Sequence, residues 1–164
     1  MGRPILINDP PPEKGQQAHD FTLGWSLLWI MGWLFTVVGL LNTVLIWVPL
    51  RFGSPEYEFT SVAASLDGLP LALFGMTFAL ASSRASGRVK SAKAVIVLLL
   101  VVTLFVVAGG VLYWLNVPLA LKALQNQPVP LLGIHKSMVK VTAQVVLYSA
   151  AMLTFARMGA RKQS

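Results

Sequence analysis

The chain has 164 residues, 55% of them hydrophobic and only 12% charged, with a net charge of +7 and no cysteine. That charged fraction is about half the roughly 25% of soluble domains, so most of the chain is built for lipid. The missing cysteine excludes disulfides, thiolate metal sites, iron–sulfur clusters and cysteine nucleophiles together.

Residues 1–22 form a polar tail containing Asp9-Pro10-Pro11-Pro12. Proline removes amide donors and favours extended geometry, so this tail is predicted not to be helical. Thr22 is a candidate N-cap for the first span, 23–49. Gly53, Ser54 and Pro55 then mark a turn. The second span, 57–83, contains Gly68 and Pro70. It is predicted as one bent helix, because a span starting at Pro70 would be only about fourteen residues long, short of the roughly twenty a bilayer needs. A basic loop leads to the third span, 92–116, where Pro118 is expected to end or kink the helix. Leu119 to Leu124 is predicted as a short interfacial helix. The fourth span is 132–158, followed by a basic tail, 159–164. The fold class is therefore all-α: an integral membrane bundle of four antiparallel transmembrane helices. The third helix, uniformly apolar, is expected to be the most exposed to lipid.

Lys and Arg set the orientation. Arg84, Arg88, Lys90 and Lys93 occupy the second loop, and Arg157, Arg161 and Lys162 the C-terminal end, with no acid among them. The positive-inside rule places this loop and both termini in the cytoplasm. These charges are expected to touch anionic headgroups of the cytoplasmic leaflet rather than nucleic acid. The first two spans, with the link Trp47-Val48-Pro49-Leu50-Arg51-Phe52-Gly53, resemble those of bacterial membrane proteins. That resemblance implies a multi-pass protein of the bacterial cytoplasmic (inner) membrane.

Four side chains do not belong in hydrocarbon: Asn42, Asp67, Lys140 and Gln144. Their positions along alternating spans put them at one depth, which predicts a single polar cluster. Lys136, Lys140, Gln144 and Tyr148 recur every fourth residue along one helical face. That face is expected to look into the bundle, because ionisable groups in spans usually avoid lipid. An Asp67–Lys140 ion pair is predicted, with Asn42 and Gln144 taking up its remaining hydrogen bonds.

Small residues mark close helix approach. Gly32 and Gly39 share a face of helix 1, and Gly68, Ala72, Gly75 and Ala79 share a face of helix 2, so these two helices are predicted to pack together. Gly109-Gly110 is a further place for a helix or ligand to approach. Trp25, Trp29 and Trp33 form a stripe on helix 1 that suits packing, or alternatively a flat wall for a quinone or carotenoid. His19 and His135 lie a membrane thickness apart and do not share a haem. No phosphate loop, dinucleotide fingerprint, zinc-protease helix or nucleophile elbow is present.

No cofactor or metal is predicted, and no catalytic residue. The reading that follows is an accessory or assembly subunit of a larger membrane complex, with other membrane subunits or further copies as partners. Two alternatives stand beside it. One is a small oligomeric ion-coupled transporter using Asp67 with Lys140. The other is a redox protein binding a quinone, lipid or pigment.

Overall fold

The computed structural model describes the backbone of residues 14–50, 53, 55–123 and 128–161, and the side chains of 23–50, 53, 57–122 and 133–161. Among these residues the protein is all-helical. Its elements are α1 (Lys14–Leu45), α2 (Pro55–Ala85), α3 (Val89–Ala123) and α4 (Pro128–Ala160). All four are long and apolar enough to cross a membrane, which suggests a multi-pass membrane protein. At 1.5 Å per residue each helix is about 50 Å long, more than the roughly 30 Å hydrocarbon core.

Helix boundaries depart from the sequence expectation in instructive ways. Helix α1 begins at Lys14, so its first turns lie in the segment expected to be an extended tail; the proline run itself lies outside the described residues. Helix α2 is continuous through Pro70. Helix α3 passes through Pro118 and ends only at Ala123, so the predicted interfacial helix is its last turns. An internal proline removes one backbone bond, and the bonds of neighbouring turns suffice to carry a long apolar helix past it.

Helix α2 is the hub, touching α1, α3 and α4. Helix α3 lies between α2 and α4, while α1 packs along α2 and does not meet α4. This corrects the placement of the third helix. In its most apolar stretch 33% of residues are buried, against 17% in α1 and 11% in α4. Uniform apolarity does not distinguish a lipid neighbour from a protein one, since both are hydrocarbon.

The α1–α2 contact is nearly backbone to backbone. A Cβ added at Gly32 would sit 2.5 Å from the Ala79 nitrogen, and one at Gly39 or Gly75 would overlap the backbone of Ala72 or Thr36. Gly68 lies against Asn42 and Thr43. Residue numbers thus rise along α1 as they fall along α2. Larger side chains would hold the helices apart.

Between α2 and α3 the chain reverses in three residues. Gly87 has φ +67°, Gly87 N–H donates to Arg84 O and Arg88 N–H to Ser83 O (2.8 Å). This is a Schellman closure, in which a left-handed glycine satisfies the last helical carbonyls.

The core runs along the α2–α3–α4 seam. Met76, Leu99, Tyr113, Val141 and Met152 are fully buried. Tyr113 stacks on Phe59 at 4.4 Å between centroids and donates its hydroxyl to Ser137 Oγ at 2.8 Å.

Candidate functional site: a charged flank between α1 and α4

Because α1 and α4 both lean on α2 without meeting, one flank of α2 lies open between them. Asp67, Pro70, Leu71 and Phe74 are exposed there. Their spacing of three and four residues places them along one side of the helix.

Two residues of α4 reach Asp67. Lys140 Nζ lies 2.8 Å from Asp67 Oδ2, and Gln144 Nε2 donates to Asp67 Oδ1 at 2.9 Å. Both carboxylate oxygens are therefore engaged, one by charge and one by an amide. Lys140 and Gln144 stand one helical turn apart, which lets a single helix grip both oxygens. Gln144 Oε1 is buried and has no hydrogen-bond partner.

The structure corrects two expectations here. The charged face does not look into the bundle: the Lys140 and Asp67 side chains remain 56% and 50% exposed. The interior is already occupied by the α3 seam, so the pair is pushed to the margin where α4 only grazes α2. Nor does Asn42 join the cluster. Its amide nitrogen rests over Gly68, 3.1 Å from where a Cβ would stand, on the α1 side of α2, and it donates no hydrogen bond to Asp67. Asn42 is itself exposed and belongs to α1, the helix that borders the open flank opposite α4. Lys136, also on the charged face of α4, is exposed too.

The other residues singled out from the sequence have separate places. Trp29 Nε1 donates to Ser91 Oγ at 2.8 Å, and the Arg88 guanidinium lies over its ring, 4.7 Å from the centroid. Arg88 also donates to Ser26 Oγ at 3.0 Å. Trp29 is thus tied to the start of α3. Trp33 packs against the core with its indole N–H unpartnered, and Trp25 is half-buried.

Arg84, Arg88, Lys90, Lys93, Arg157 and Arg161 gather at the end of the bundle that carries the α2–α3 turn. Arg84 donates to the Arg161 carbonyl at 2.9 Å across that end. Lys162 and the His19 side chain lie outside the described residues. His135 is exposed near the opposite end. Among the described residues no group of three His, Asp or Glu could hold a metal ion.

Sequence reasoning missed a second polar set at that opposite end. Asn116 Nδ2 donates to Glu58 Oε2 at 2.9 Å and to its own-helix Leu112 O, while Gly53 N–H donates to Glu58 Oε1 at 2.8 Å. The acid is shared between α3 and the α1–α2 loop. Asn116 was visible only as the end of the predicted third span. The continuation of α3 past Pro118 is what makes it an interior residue, 7% exposed.

Comparison with protein-family models, with curated proteins and with solved structures finds no match.

Proposed function

We propose that this chain is a non-catalytic accessory or assembly subunit of a larger complex in the bacterial cytoplasmic membrane. Its open α1/α2/α4 flank receives a transmembrane helix of another membrane protein. One observation carries this reading: an ion pair within the apolar spans is half exposed. Charged groups inside spans are costly in lipid and normally face protein or water. A partner helix bearing a polar side chain at the depth of Asp67 would cover the pair. Asn42 on the bordering helix α1 offers a further hydrogen-bonding group.

The basic end supports an orientation with the α2–α3 turn and both termini in the cytoplasm. There the arginines and lysines would meet anionic headgroups.

Gentle extraction followed by native mass determination tests the proposal. Wild-type protein is expected to carry a heavier membrane partner that is lost in Asp67→Asn. Wild-type protein recovered only as the bare 17.8 kDa chain would overturn it.

The exposed carboxylate also favours a second reading, an ion-coupled carrier. The two readings separate in the same variant. A carrier loses coupled flux in reconstituted vesicles, whereas a docking subunit loses its partner and shows no flux to begin with.

A further inference from the structure

A second recess lies on the other side of α1, between α1, α2 and α3, with a volume of about 640 Å³. We infer that it is a binding site for one acyl chain of a membrane phospholipid. The inference is independent of the charged flank, which lies on the opposite side of α1.

The recess is a consequence of how α1 is held. Near the α2–α3 turn, Trp29 and Ser26 tie α1 to Ser91 and Arg88. Toward the other end, Trp47 Nε1 donates to Ser65 Oγ at 2.8 Å, and Tyr57 donates its hydroxyl to the Trp47 carbonyl. Fixed at both ends, α1 does not lean onto α3 between them. The gap is walled by Leu40 and Val44 of α1 and by Val102 and Phe105 of α3, and floored by Leu66 of α2. Its volume falls within the range of about 300–1,000 Å³ typical of small-molecule sites.

The chemistry of the lining selects the occupant. Trp47 and Ser65 are the polar side chains along it, and they bond to each other. An apolar space of this kind does not hold water, and left empty it would forfeit the dispersion contacts of every side chain around it. A charged headgroup would find no ionic partner along this lining. A saturated or unsaturated hydrocarbon chain needs none, and the recess opens sideways onto hydrocarbon within the spans. Gly109 deepens it. A Cβ there would meet only Val62 Cγ1, at an ordinary 3.8 Å, so the position has room for a side chain and carries none.

Photolabelling in phosphatidylcholine nanodiscs tests this. A small fraction of the phosphatidylcholine carries a diazirine on its acyl chain, and labelled peptides are mapped by mass spectrometry. Wild-type protein should take several-fold more label on the 98–109 segment of α3 than on the exposed apolar face of α1 around Leu34 and Leu41, which does not line the recess. Gly109→Phe, which fills the recess, should lower α3 labelling to the level of that α1 face, while Gly109→Ala should leave it unchanged. Val44→Trp repeats the test from the facing wall with α3 unaltered. Equal labelling of α3 and the Leu34–Leu41 face in the wild type would overturn the inference, since ordinary annular lipid gives that result. So would displacement of the label by an isoprenoid quinone at a far smaller mole fraction than unlabelled phospholipid requires.

Discussion

Lys140 and Asp67, 73 positions apart in sequence, meet at 2.8 Å on the margin of the bundle rather than at its centre. The pair is the main polar link between α2 and α4, two helices that otherwise only brush each other. A single substitution there leaves one charge without its partner, which costs more than removing both.

The first prediction follows from that asymmetry. Asp67→Asn and Lys140→Met should each lower the melting temperature in detergent, and the double variant should recover part of the loss. A coupling on the order of 1 kcal/mol is expected for groups in direct contact. Strict additivity of the two single effects, measured by thermal unfolding, would show that the pair contributes nothing jointly.

Glycine spacing gives the second prediction. Gly75→Val should separate α1 from α2, because even a Cβ there would overlap the Thr36 backbone. Overpacking of this kind costs about 1–3 kcal/mol. Gly24→Ala serves as the control, since nothing stands within 4 Å of its added Cβ. Thermal unfolding of the two variants side by side should show a clear loss in the first and none in the second.

The third prediction concerns Tyr113, a fully buried side chain whose hydroxyl bonds Ser137 on α4. Tyr113→Phe keeps the stacking on Phe59 and loses one hydrogen bond, a net effect of about 1 kcal/mol, with a further cost if Ser137 is left unsatisfied. Tyr113→Ala also removes the ring, at about 3–5 kcal/mol. Stability curves should rank wild type, Phe and Ala in that order; a Phe variant as unstable as Ala would refute the assigned role of the ring.

Orientation supplies the fourth. The absence of cysteine means that a single introduced thiol reports its own side of the membrane. Leu50→Cys should react with an impermeant maleimide added outside the cytoplasmic membrane. Ser86→Cys, in the basic turn, should react only after that membrane is opened. The reverse pattern would invert the proposed topology.

Much of this molecule was legible in its sequence. Long apolar runs declare spans through length and composition alone, and Asp67, Lys140 and Gln144 stood out because polar groups are rare in such runs. What could not be read was direction around each helix. The every-fourth-residue spacing from Lys136 to Tyr148 defines a face without saying what that face meets, and the charged stripe lies at the edge rather than inside. Depth alone groups Asn42 with the cluster, but depth carries no information about which side of α2 a residue occupies. The place of helix α3 is hidden for the same reason. Bonds such as Trp29 to Ser91 or Asn116 to Glu58 join common residues far apart in sequence, and no local pattern announces them.

The hub position of α2 bears on how the molecule is made. Helices emerge from synthesis in chain order, and α2 is the one every other helix touches. An α1–α2 hairpin can therefore form its glycine contact before the rest exists, presenting a finished template. The last two helices have only to settle against a surface already in place, and α4, arriving last, completes the charge pair as the final latch.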